Sequence, residues 1–65
     1  MLISKQRIQF LMAKQKLTAT GLAERIGMKP QNLSSILGRG SCKPVTAARI
    51  AEGLGVDVTE IMKEE

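Results

Sequence analysis

Gly27 and Pro30 stand on either side of Met28-Lys29 near the middle of the chain, and that spacing limits the fold more than any other feature. Glycine adopts positive φ freely and ends a helix. Proline suits the first helical position and disfavours helix in the residue before it. Helices flanking Gly27-Met28-Lys29 meet across a turn too brief for an antiparallel pair, so they cross at a steep angle. Similar signals divide the rest of the chain. Ser4 caps a first helix running to about Gln15, with an inward stripe of Ile8, Leu11 and Met12 that extends to Gln15. Thr18 caps a second, in which Leu22, Ala23 and Ile26 share a face. PQNLSSIL, opened by Pro30, is a third, with Leu33, Ile36 and Leu37 inward, and GRGSCK is a loop. Pro44 opens a fourth, facing inward with Ala47, Ile50, Ala51 and Leu54 and closed by Gly55. Asp57 with Glu60 forms a capping box before a short fifth helix holding Val58, Ile61 and Met62. No segment alternates apolar and polar residues, so strands are not expected. The expected architecture is all-α, a compact five-helix domain spanning 1–65 as one unit.

A chain of 65 residues buries only ~60% of the surface its unfolded form exposes. One cysteine closes no internal disulfide, and without histidine a zinc site is not expected. The absence of His and Tyr leaves little acid–base chemistry, so the chain reads as a binding module rather than an enzyme, with no cofactor, metal or small-molecule ligand implied. No apolar run approaches the ~18 residues of a membrane span, and MLISKQRIQF lacks the apolar core of a signal peptide. A cytoplasmic location is expected.

Charge points to the partner. Residues 1–49 hold nine Lys/Arg and one acid, Glu24, for a net +8; residues 50–65 hold Lys63 and five acids, for a net −4. So lopsided a field suits a polyanion, with nucleic acid first and an anionic membrane surface second; the competing reading is a face that only keeps the chain soluble. The third helix favours nucleic acid. Its outward residues, Gln31, Asn32, Ser34 and Ser35, are flanked in sequence by Lys29, Arg39 and Lys43, with Arg25 on the helix before. Gln and Asn donate and accept at once, as pairing to adenine edges requires, and Ser bonds to base edges or phosphate. Lys29, Arg39 and Lys43 are expected on phosphates, and Arg25 is expected to be solvated or paired internally.

TATGLAERIGMKPQNLSSIL followed by KPVTAARIAEGLGV resembles the XRE family of helix-turn-helix regulators, which includes lambda-type phage repressors and Cro proteins. The likeness runs from about Ile8 to Ile61. Its markers are Leu22-Ala23, Gly27, Leu33, Ile36, Pro44 and Leu54-Gly55-Val56, none specific alone but ordered and spaced as in the family. The resemblance implies a lambda-repressor-like domain with a helix-turn-helix at about 18–37 and the third helix in the major groove. Base reading then falls on the start of that helix, at Pro30, Gln31, Asn32 and Ser35. With Pro30 unable to serve as a polar reader, Gln31, Asn32 and Ser35 remain. Phosphate contacts fall on Thr18 and Ala19 and on the loop from Arg39 through Ser41 to Lys43; Ser34 joins them as a phosphate candidate. The implied partner is double-stranded DNA, bound by a weak homodimer or a dimer formed on DNA, and the implied output is repression. An antitoxin-type protein-interaction module carrying the same motif is the alternative.

The chain departs from the family pattern in places. Ala19 stands where many members have a phosphate-clamping Gln, leaving only its backbone N–H. Met12 and Leu37 stand where many members pair Arg with Glu, an exchange that can be neutral or stabilising when both partners change together. Phe10, the one aromatic residue, is expected to pack against the fifth helix and close the core, with a dimer contact as the alternative. Cys42 is expected to be an incidental thiol. Asp57, Glu60, Glu64 and Glu65 are expected to face away from DNA.

Overall fold

Side-chain caps and prolines set the helix starts. The computed structural model describes residues 1–63. Ser4 Oγ accepts from the Arg7 N–H at 3.2 Å and opens α1, Lys5–Lys14. Thr18 Oγ1 accepts from the Gly21 N–H at 3.0 Å and opens α2, Ala19–Arg25. Neither α3, Pro30–Arg39, nor α4, Pro44–Leu54, has a side-chain cap. Each begins with proline, which has no N–H to leave unpaired at that position. At the crossing of α2 and α3, Gly27 adopts φ +70° and the Met28 N–H donates to Ala23 O at 2.8 Å. This left-handed cap reverses the chain in the space that the sequence allots to it.

The helices close on one buried cluster. Ile8 and Met12 come from α1, Leu22 and Ala23 from α2, and Leu33, Ile36 and Leu37 from α3. The inner face of α4 supplies Ala47, Ile50, Ala51 and Leu54, as its spacing predicts. Met12 and Leu37 both lie in this apolar cluster. Ala23 is wholly buried, where a larger side chain would push the helices apart. Gly53 plays the same part between α4 and α2. A Cβ there would overlap Ile26 Cγ2 and come within 3.0 Å of Leu22 Cδ1.

The structure corrects several expectations. Phe10 does not close the core; it is 67% exposed, because the outer side of α1 carries it away from Ile8 and Met12. Helix three does not stop at Leu37. Gly38 continues it and Gly40, at φ +72°, ends it, so GRGSCK is part helix. The fifth helix is a single 3-10 turn, Val58–Glu60. Only half of its expected capping box forms among the described residues: Asp57 accepts from the Thr59 N–H at 3.0 Å, with no returning bond from the Glu60 side chain. Ile61 is fully buried, whereas Met62 is 38% exposed.

The chain's first residues add an unforeseen feature. Ile3 is fully buried, and isolated antiparallel bridges join Leu2 to Ser41 and Ile3 to Met62. The N-terminal segment is thus sandwiched between the α3–α4 loop and the segment after the 3-10 turn. No strand forms among the described residues, and the all-α class holds.

Two glycine substitutions should move stability in opposite directions. Gly38→Ala adds a Cβ that meets nothing within 4 Å, so it should stabilise the helix by about 0.5–1 kcal/mol. Gly53→Ala should destabilise, because overpacking costs about 1–3 kcal/mol and outweighs the helix-propensity gain. Each kcal/mol corresponds to a melting shift of about 4–8 °C, readable by circular dichroism. A Gly53→Ala melting point at or above that of the parent chain would refute the close-approach account.

Asp57 yields a pH prediction. Hydrogen bonds from the Thr59 side chain and backbone hold its carboxyl below the ordinary 3.8. A depressed folded value means that the cap is fully present above 3.8 and is lost as pH falls through the lower folded value. The Thr59 amide should lose protection from exchange over that acid range. In Asp57→Asn, which caps without titrating, it should not.

Candidate nucleic-acid interface

The polar face of α3 follows from helix geometry. At about 100° per residue, Leu33, Ile36 and Leu37 turn to the core and Gln31, Ser35 and Gly38 lie opposite them. Asn32 and Arg39 fall on one margin of the exposed face and Ser34 on the other. Gln31, Asn32, Ser34 and Ser35 are all exposed. Among the described residues, none of their side chains makes a hydrogen bond within the chain. Gly38 belongs to this face although the sequence predicts a loop there. Two glycines in close succession compete as the stop signal, and only the left-handed φ of Gly40 settles which one ends the helix.

The remaining candidates lie around this face. Lys29 is the N-cap of α3 and exposed. Its carbonyl accepts from the Asn32 and Leu33 N–H groups at 3.0 and 3.1 Å. Since Pro30 has no N–H, Gln31 carries the only uncommitted amide of the first turn. Arg39 ends α3, Ser41 is half-buried in the bridge with Leu2, and Lys43 is the exposed N-cap of α4. At the start of α2, Thr18 spends its hydroxyl on the cap and Ala19 is half-buried. Burial pushes the Cys42 thiol above its ordinary value of 9.0, against the pull of the amino terminus and Arg39, so it is mainly protonated at neutral pH. Asp57 and Glu60 are exposed in and beside the 3-10 turn, while Glu64 and Glu65 lie outside the described residues.

Arg25 does not belong to the polar face. Its Nη1 donates to Gly53 O at 3.1 Å and to Gln15 Oε1 at 3.5 Å. Arg49 on α4 in turn donates to Ile26 O at the end of α2. Gln15 Nε2 donates to Leu54 O at 2.6 Å. Each of these carbonyls sits at a helix C-terminus, where backbone oxygens lack intrahelical partners and cations are favoured. Gln15, just beyond α1, and side chains of α2 and α4 thus satisfy carbonyls at the ends of α2 and α4 and tie these elements together. The sequence leaves Arg25 open between solvent and an internal partner and gives Arg49 no role, because neither carbonyl partner is close along the chain.

A family model described as Cro/C1-type HTH DNA-binding domain matches residues 7–65. The chain belongs to that family. As a member it is a helix-turn-helix DNA-binding protein of transcription regulation, in keeping with the resemblance drawn from its sequence markers. Domains of this family are typically not enzymes. Neither the curated proteins nor the solved structures compared with the chain gave a match. Among the described residues, no helix is long and apolar enough to cross a membrane.

Proposed function

We propose that the chain, as a single domain spanning 1–65, is a sequence-specific transcriptional repressor of the cytoplasm that inserts α3 into the DNA major groove. The observation that carries this reading is the exposed, uncommitted polar face of a helix whose opposite side is locked in the core. Gln31 and Ser35, central on that face, and Asn32 at its margin contact base edges. Lys29, Arg39 and Lys43 fix register on phosphates, with Ser34, Ser41, Thr18 and the Ala19 amide as further contacts. Two copies address half-sites about one helical turn, ~34 Å, apart. The chain is a weak dimer, or dimerises on its site, and represses by occupying a promoter and excluding polymerase.

Phe10 favours a second reading. An aromatic ring 67% exposed beside Arg7, Lys14 and Glu60 suits a protein partner, as in an antitoxin-type module that also binds DNA. Co-purification of a neighbouring gene product, abolished in Phe10→Ala, would support it.

Selection of bound duplexes from a random pool tests the main reading and should return a palindromic site. Affinity for that site should fall steeply with salt. Gln31→Ala should lose about 1–3 kcal/mol on the selected site and little on random duplex. Lys43→Ala should weaken both alike and lower the salt slope by about one. Equal losses from the two variants on both duplexes would overturn the base-reading assignment, and a titration indifferent to salt would overturn the phosphate assignment.

A further inference from the structure

The N-terminal segment precedes the family match, which begins at residue 7, yet it is built into the fold. The Ile3 N–H donates to Gly40 O at 3.0 Å and the Cys42 N–H to Met1 O at 3.0 Å. On the other side, the Ser4 N–H donates to Ile61 O at 2.7 Å and the Lys63 N–H to Leu2 O at 3.2 Å. These bonds bring two segments that are distant in sequence, residues 1–4 and 61–63, to the end of α3. Between them runs an open groove of about 310 Å³, lined by Lys5, Arg39 and Lys63 together with Ser4, Gln6 and the backbone of Gly38.

We propose that this groove is a further DNA-phosphate site, held by Lys5, Arg39 and Lys63. It rests on the duplex-binding reading above and extends it to Lys5 and Lys63, which that reading does not use. Among the described residues three cations share the groove and no carboxylate lines it. Like charges gathered together oppose folding, and an anion between them removes that opposition. Lys5 is anomalous on a second count. It holds the first position of α1, where the positive end of the helix dipole disfavours a cation and where the first turn contains no acid. Helix stability therefore does not explain a lysine there, whereas a phosphate beside it does. The location fits DNA. Gly38, on the central line of the exposed α3 face with Gln31 and Ser35, also lines the groove. Its missing side chain leaves open space there, with nothing within 4 Å of a built Cβ. A backbone strand passing the end of α3 meets the groove directly.

The test titrates the full chain with a random-sequence duplex over a range of salt. Lys5→Ala with Lys63→Ala should reduce the slope of log affinity against log salt by about 0.9 for each phosphate that the variant no longer neutralises. Lys5→Arg with Lys63→Arg should keep the parent slope. Arg7→Ala with Lys14→Ala, on α1 beside Phe10, makes the same change in net charge and should also keep it. A parent-like slope in the Lys5/Lys63 alanine variant would overturn the site, and so would an equal fall in the Arg7/Lys14 variant. Abolished binding to phosphatidylserine vesicles with an unchanged duplex slope would assign the groove to lipid and overturn it too. A flat titration by the parent chain would overturn the duplex reading and the site together; a steep parent slope shared by the Lys5/Lys63 alanine variant would overturn the site alone.

Discussion

The close seating of α2 against α3 and α4 is the contact on which the rest of the structure depends. Leu22 and Ala23 on α2 and Leu33 and Ile36 on α3 meet in one buried cluster, and the bare backbone of Gly53 on α4 faces Leu22 and Ile26 beside it. Small residues stand where helices approach most closely, and large ones fill the space beside them. A core packed at crystal-like density has few alternative arrangements, so the crossing of α2 and α3 is held rather than merely permitted. The direction of the polar face of α3 follows from that crossing.

Polar bonds at the helix ends reinforce the apolar contact. Arg25 reaches from α2 to the end of α4, Arg49 from α4 to the end of α2, and Gln15 from beyond α1 to Leu54 O. Each pairs a carbonyl that its own helix leaves unsatisfied. These bonds divide the basic residues into two groups. Arg25 and Arg49 are committed to the frame. Lys29, Arg39 and Lys43 stand around the exposed polar face of α3, and the groove beside it gathers Lys5 and Lys63. Net charge alone does not make this distinction.

Much of the fold is legible in the chain. Four of the helices start at caps or prolines that the sequence names, and the inward residues of α2, α3 and α4 follow from a 3.6-residue period. The exposed residues of α3 follow from the same period, so Gln31, Asn32, Ser34 and Ser35 are identifiable as a group. Phe10 escapes local rules because its apolar character suggests burial, while its position on the outer side of α1 excludes it from the core. The end of α3 escapes them because Gly38 and Gly40 send the same local signal.

Local rules sufficed for helix starts and for the polarity of a helix face, which depend on neighbours within one helical turn, and the order of Leu22-Ala23, Gly27, Leu33 and Ile36 was enough to indicate the helix-turn-helix. Only the tertiary structure could decide what depends on pairs far apart along the chain. Ile3 became core because backbone bonds to Gly40 and a bridge to Met62 draw the N-terminal segment across the fold. Gly53 became a contact point because Ile26 and Leu22 arrive there from another helix. Lys5, Arg39 and Lys63 became neighbours for the same reason: hydrogen bonds between distant backbone groups carry no periodic signature in a sequence.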